Sequence, residues 1–259
     1  CQICNSATEC QDANLGELCC GGSCVSGVCC EHDACTGEEA PDCVDHQCVC
    51  AGDNATACDG GKVCCDDGCA DLDTNHDYCG SCANACRSDQ LCLDGGCVTC
   101  DVTCSSGDCD GADLLNALNQ GGTVYKCPGR YTGFYSLTAP VTAIGAGQGN
   151  DGAANTILAA SGTVAVRNNA GTSASLHRLR ITGARGDLAS GVENLRDASL
   201  AMVDCTVTGN TSEADSGVSG GGAGIYNEYG DISMTRCTIS DNHSNGSGGI
   251  YGGGIWNID

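Results

Sequence analysis

From Ala198 to Asp259 the chain repeats itself, and this repeat restricts the fold more tightly than anything else in the sequence. Residues 198–210 align with residues 230–242 at one constant offset of 32. Leu200 falls on Ile232, Met202 on Met234, Cys205 on Cys237, Val207 on Ile239 and Asn210 on Asn242. An earlier copy, residues 174–183, places Leu176, Leu179 and Ile181 in the same columns. A second phrase recurs between these segments: Val166-Arg-Asn168, Val192-Glu-Asn194, Ile225-Tyr-Asn227 and Ile255-Trp-Asn257, spaced by 26, 33 and 30 residues. Short strands at such periods, joined by glycine-rich connections, are what a parallel β-solenoid requires. One coil cannot bury its inward face alone, so it stacks on its neighbour about 4.8 Å away.

Alternate side chains of a strand point to the same side. The columns Leu200/Ile232 and Met202/Met234 are therefore expected to stack inside, with Cys205 and Cys237 in another inward column. Asn194, Asn227 and Asn257 are expected at corners, each amide bonding the same amide one coil above. Gly220 to Gly222 and Gly252 to Gly254 supply corner conformations that side chains forbid. The phrases Gly220-Gly-Gly-Ala-Gly-Ile-Tyr-Asn227 and Gly252-Gly-Gly-Ile-Trp-Asn257 resemble the repeats of bacterial right-handed parallel β-helices, including the polymorphic outer-membrane-protein type. The resemblance covers about residues 111–259 and says little about activity. Residues 113–119 carry Leu114, Leu115 and Leu118 at helical spacing. They resemble the short helix that covers the open N-terminal end of such tubes, where strand edges would otherwise be unpaired. The expected fold is all-β: a right-handed parallel β-helix (residues 110–259, with its capping helix) preceded by a disulfide-rich, loop-dominated region (residues 1–109).

Aromatic residues make up only 3% of the chain, so an ordinary globular core is not expected; 40 glycines and 27 cysteines stand in its place. Of those cysteines, 24 lie in the first 109 residues, the density of a disulfide scaffold in an oxidising, extracellular or cell-surface compartment. Residues 1–113 hold 22 of the 33 acidic residues against Lys62 and Arg87 alone. That charge disfavours nucleic acid and anionic membrane and favours cations such as Ca²⁺. No apolar run is long enough to span a bilayer. No signal peptide is visible, so the chain is expected to begin at a mature or trimmed end, and Cys1 is a candidate for a lipid anchor.

Within the cysteine-rich region, residues 17–24 match residues 62–69 at an offset of 45. Residues 71–86, with the hairpin motif Cys92-Leu-Asp-Gly-Gly-Cys97, resemble stigma-specific-protein-like modules. That resemblance spans roughly residues 64–100 and implies a small extracellular disulfide module without enzymatic activity. The pairs Cys1/Cys4, Cys79/Cys82 and Cys97/Cys100 have a spacing that also suits zinc. Zinc, however, needs a closed set of four ligands, and here the pairs lie among many other cysteines, which favours disulfides. Asp71, Asp73, Asn75 and Asp77 alternate as oxygen ligands of Ca²⁺ do, with Asp66 and Asp67 nearby. His76 stands where a helix-loop-helix calcium loop needs glycine, and Cys82 replaces its last glutamate. The plainer reading is a solvated, Asp-rich turn.

Further along, Cys127 is expected to bridge back to the first region, to Cys104 or Cys109. The segment Gly145-Ala-Gly-Gln-Gly149 lacks the strand-helix surroundings of a phosphate loop and reads as a corner. Cys205 and Cys237 are either bridged or buried thiols, with the bridge preferred. The next column, Arg178, Asp204 and Arg236, alternates in charge. Asn54, Asn210, Asn242 and Asn245 each open a glycosylation sequon, the last three expected in loops, as on a glycoprotein.

Three function classes remain. An enzyme acting on polysaccharides needs carboxylates clustered on one outward sheet; His177, Arg178, Arg180, Glu193, Asp204 and Arg236 are scattered, and no enzymatic activity is expected. A cell-surface adhesin or carbohydrate-binding stalk would use Tyr226, Tyr229, Tyr251 and Trp256. The preferred reading is an extracellular structural protein, self-assembling into filaments or bound to the surface matrix. In this reading Ile239, Ile250 and Ile255 are uncovered at the last coil, so either the chain continues or another copy joins tail to head.

Overall fold

The structure is a computed structural model of the chain. It describes residues 62–65, 68–104, 108–150, 152, 154–186, 190–213, 222–245 and 253–258, together with four short strands between residues 18 and 49. Contacts divide the chain into two units, Cys1–Cys86 with Cys92–Gly96, and Arg87–Leu91 with Cys97–Asp259.

The first unit is built from small antiparallel hairpins: Leu18–Cys20 with Ser23–Val25, Asp42–Val44 with Gln47–Val49, and Val63–Cys65 with Gly68–Ala70. Each sets a cysteine opposite a cysteine, Cys19 to Cys24, Cys43 to Cys48 and Cys64 to Cys69. The repeat at residues 17–24 and 62–69 is therefore a repeated hairpin. The middle hairpin is not marked in the sequence, because its first strand, Asp42–Val44, lacks the double cysteine of the other two. Disulfides tie Cys65 to Cys82 and Cys79 to Cys92, at Cα separations of 5.3 and 5.6 Å. Cys79 and Cys82 thus belong to two different bridges, which removes that pair as zinc ligands. Gly80 sits at φ 77°, and a Cβ there would lie 2.5 Å from the Gly95 carbonyl oxygen, so only glycine fits.

The second unit is a pile of parallel strands in three main sheets. The first sheet runs Gly122–Tyr125, Val141–Ile144, Ser173–His177, Ser199–Val203, Asp231–Thr235. The second runs Asp108–Asp110, Gly129–Gly133, Thr156–Ala160, Arg180–Thr182, Thr206–Thr208, Thr238–Ser240. The third runs Tyr135–Leu137, Val164–Asn168, Ser190–Asn194, Ile225–Glu228, Ile255–Ile258. From Gly122 onward the chain visits the first, second and third sheets in turn, adding one strand to each per pass. In the last passes a short side sheet of Arg185–Gly186, Thr211–Ser212 and His243–Ser244 is inserted.

The register reproduces the columns read from the sequence: Leu176 beside Met202, Leu200 beside Ile232, Met202 beside Met234, and Ile181, Val207 and Ile239 in line. Leu158, Leu176, Leu179, Ile181, Leu200, Met202 and Val207 are buried in one continuous core. Each such side chain contributes about 1.5–3 kcal/mol by leaving water. The amide corners also form. Asn168 Nδ2 donates to Asn194 Oδ1 at 2.9 Å, Asn194 Nδ2 to Asn227 Oδ1 at 2.7 Å, and Asn227 Nδ2 to Asn257 Oδ1 at 2.5 Å.

The helix Ala112–Gln120 buries Leu114 and Leu118 completely and packs against Gly122–Tyr125, Tyr135–Leu137 and Val141–Ile144. The Asp110 carboxylate accepts from the Ala112 backbone N–H at 3.0 Å, satisfying one of the helix's free donors. The expectation for Cys127 needs correction: it bonds to Cys100, while Cys104 and Cys109 pair with each other. The cause lies in the backbone. Asp101 N–H donates to Tyr125 O at 2.8 Å and Val102 forms a parallel bridge with Lys126, which lays Cys100 against Cys127. Gly129, at φ 152°, makes room for the second bridge: a Cβ there would be 2.4 Å from Cys104 Cβ.

Candidate functional site

Asp71, Asp73, Asn75 and Asp77 lie in a tight turn of the first unit. The Asp71 carboxylate accepts from Asp73 N–H at 3.1 Å, and the Asn75 side-chain oxygen accepts from Asp77 N–H at 2.9 Å. The turn is pinned by Gly80 N–H to Leu72 O and by Gly95 N–H to Asp73 O. Asp71 and Asn75 thus each spend a lone pair on a backbone donor of the turn. Among the described residues, no set of three carboxylate, imidazole or thiolate ligand atoms within 4.8 Å includes any of these aspartates. Asp66 and Asp67 lie outside the described residues.

The polar groups of the second unit's outward face pair locally rather than converge. Arg236 holds Asp204 through two charge-assisted hydrogen bonds of 2.6 and 2.7 Å, and this bond keeps the Asp204 carboxyl below its usual range. Arg167 takes Glu193 at 2.5 Å and lies 5.1 Å over the Phe134 ring. Arg178 donates to Ala146 O at 2.7 Å. His177 shares a 2.7 Å hydrogen bond with Ser175, and burial lowers its pKa. The loop at residues 145–149 is a corner, held by Thr206 Oγ1 donating to Gln148 Oε1 at 2.9 Å and by Gly149 N–H bonding Asn155. Two features here were not legible in advance. Glu193 has a basic partner one strand away, and Arg178, Asp204 and Arg236 share a left-handed backbone conformation (φ 55°, 51° and 51°), which makes this column a repeated corner.

Of the aromatic group, Tyr226 and Trp256 meet on neighbouring strands with ring centroids 5.1 Å apart. Tyr229 instead carries Arg196 over its ring at 4.2 Å. Tyr251 falls outside the described residues.

The chemically distinct locus is the column of Cys205 and Cys237. Both are thiols, so the preferred bridge is not formed. Cys205 is fully buried and donates towards the carbonyls of Leu176 and Val203, each at 3.3 Å; Cys237 is half-buried, 3.4 Å from Thr235 O. The nearby Cys237 side chain, with burial, pushes Cys205 far up, and the Cys205 side chain in turn holds Cys237 down at about 6. Lys126 is a second unusual group of this unit. It is wholly buried, its Nζ has no hydrogen-bond partner, and desolvation lowers its pKa to about 7. Nothing in its sequence neighbourhood, Tyr-Lys-Cys-Pro, distinguishes it from a surface lysine.

The sequons also need correction. Asn210 is fully buried: its Nδ2 donates to Thr208 O at 3.2 Å and to Asn242 Oδ1 at 2.9 Å, while its own Oδ1 accepts from Ala184 N–H. Asn242 Nδ2 in turn donates to Val207 O. These two form a second amide ladder, not loop acceptors. Asn245 is exposed, and Asn54 lies outside the described residues. Among the described residues no helix is long and apolar enough to cross a membrane. No protein-family model, no curated protein and no solved structure matches the chain.

Proposed function

We propose that the chain is an extracellular structural protein whose second unit is a right-handed parallel β-helix of the type seen in bacterial surface proteins, and that copies associate through the outermost described strands. The observation that supports this most is the character of that edge. Asp231–Thr235, Thr238–Ser240 and Ile255–Ile258 each lie at the end of their sheet among the described strands. Met234 and Ile255 are 38% and 42% exposed there, with Ile232 and Ile239 half-buried beside them. A row of parallel backbone groups flanked by apolar side chains is a template for a further strand. A second copy seated on it by a different surface makes a heterologous contact, which propagates as a filament. The acidic first unit, with Asp71, Asp73, Asn75 and Asp77, is proposed to take Ca²⁺, and the disulfides suit a protein working outside the cell.

Sedimentation and electron micrographs of the protein with and without Met234→Lys and Ile255→Lys test the association. Filaments or oligomers that disperse in the variants support it; discrete monomers of the unaltered chain overturn it. A second reading, a carbohydrate-binding stalk, is favoured by the Tyr226–Trp256 contact beside the Arg167–Glu193 pair on one sheet face. Glycan-array binding that is lost in Trp256→Ala would select that reading.

A further inference from the structure

Cys205 and Cys237 differ from the other cysteines whose side chains are described, all of which are disulfide-bonded. Their placement nevertheless suits a bridge. Thr238 N–H donates to Cys205 O at 2.8 Å, and Thr206 pairs with Thr238 and Val207 with Ile239, so the two cysteines occupy matching positions on neighbouring passes. In-register parallel neighbours stand ~4.8 Å apart, within the ~4.4–6.8 Å that a disulfide spans. Both side chains pack into the same core, Cys205 as a member and Cys237 at its margin. A bond between them therefore needs side-chain rotation, not backbone movement. Their exposures differ in a useful way: Cys237 meets solvent and Cys205 does not.

We propose that Cys237 and Cys205 form a redox-active dithiol that takes a small-molecule disulfide as substrate, with Cys237 as the attacking thiol and Cys205 as the resolving thiol. The Cys237 thiolate attacks one sulfur of the external disulfide; that S–S bond breaks and the first small thiolate leaves, taking a proton from water. The Cys205 thiol gives up its proton to water as its sulfur attacks Cys237 Sγ. The mixed disulfide breaks, and the second small thiolate departs and is protonated. Two protein thiols are oxidised, and one external disulfide is reduced to two thiols. Attack requires a thiolate that solvent can reach. The neighbouring Cys205 side chain favours that form at Cys237, whereas burial and the Asp204 charge oppose it. Beside the pair in the chain lie Asp204 and Arg236, joined as an ion pair, with His177 near Asp204. The oxidised form would tie the outermost described strands covalently to those beneath them.

The test uses the intact, unreduced protein in buffers of graded reduced and oxidised glutathione near neutral pH, followed by alkylation and peptide mapping. The expected result is that residues 205 and 237 pass from two alkylatable thiols to one linked peptide pair as the buffer becomes oxidising. The bridges Cys65–Cys82, Cys79–Cys92 and Cys100–Cys127 stay closed throughout. Cys205→Ala is expected to stop with glutathione attached to Cys237, and Cys237→Ala to take up none. Thiols that stay alkylatable in the most oxidising buffer overturn the proposal. So does a 205–237 bridge that opens only when the other bridges open, or glutathione uptake by Cys237→Ala at the wild-type rate. The wild-type titration decides the matter even where Cys205→Ala folds poorly.

Discussion

Asn194 donates its side-chain amide to Asn227 on the next pass at 2.7 Å, and to the backbone carbonyl of Asp231 at 3.0 Å. One buried side chain thereby joins two passes of the chain, and its own oxygen accepts from Asn168 below. Replacing it takes the donor from the buried Asn227 oxygen, while Asn168 Nδ2 keeps the carbonyls of Thr172 and Ser199, and a buried group left unpaired costs more than the bond itself contributes. Asn194→Ala is expected to lower stability by about 2–4 kcal/mol. Asn257→Ala, at the exposed end of the same ladder, should cost far less. Thermal unfolding of both variants checks the gradient, and equal losses would mean the ladder does not act as a ladder.

The buried amine of Lys126 should make stability depend on pH in a definite direction. Its pKa falls from the ordinary 10.5 to about 7 in the folded protein, because burial penalises the charged form. Between those values the unfolded chain binds a proton that the folded chain lacks, so stability rises with pH by up to ~1.4 kcal/mol per unit. Below about 7 this slope vanishes. Lys126→Met is expected to flatten the rise and to stabilise the protein near neutrality by a few kcal/mol, at most ~5. Chemical denaturation of both proteins from about pH 6 to about pH 9 checks the slope.

Gly129 has both a left-handed φ and the Cys104–Cys109 bridge against its Cα. Gly129→Ala is expected to cost at least ~2 kcal/mol, since strain and overlap act together. Gly162, with open space around it, should accept alanine with little change. Melting temperatures of the two variants measure the difference.

Calcium is expected to raise the melting temperature and to give a calorimetric binding signal that Asp73→Ala loses. A wild-type protein silent to millimolar Ca²⁺ in both measurements would leave the Asp71–Asp77 turn as a purely local structure, held by its own hydrogen bonds.

The stacked columns were legible because a strand's alternation and a constant repeat length dictate which residues lie side by side. Leu200 over Ile232 and the amide corners follow from those two rules alone. What could not be read depends on how distant segments abut. Cys127 finds Cys100 because Asp101 and Val102 run beside Tyr125 and Lys126, a pairing that no repeat announces. Asn210 looked like a loop acceptor because the Asn-x-Thr/Ser pattern is local, whereas its burial depends on Asn242 one pass away. The Arg178–Asp204–Arg236 column was visible as alternating charge, but its shared backbone turn was not.

The Asn210–Asn242 pair bears on how the protein can be made. The Nδ2 atom of Asn210 that donates to Asn242 is the atom to which an oligosaccharide would be joined in a eukaryotic secretory pathway. Transfer there precedes folding, when Asn210-Thr-Ser is an ordinary accessible sequon. A sugar placed on it could not enter the buried corner, and the last passes would fail to stack. Production in a host that does not glycosylate, or removal of the acceptor by Ser212→Ala (Ser212 Oγ being buried without a hydrogen-bond partner), avoids that dead end.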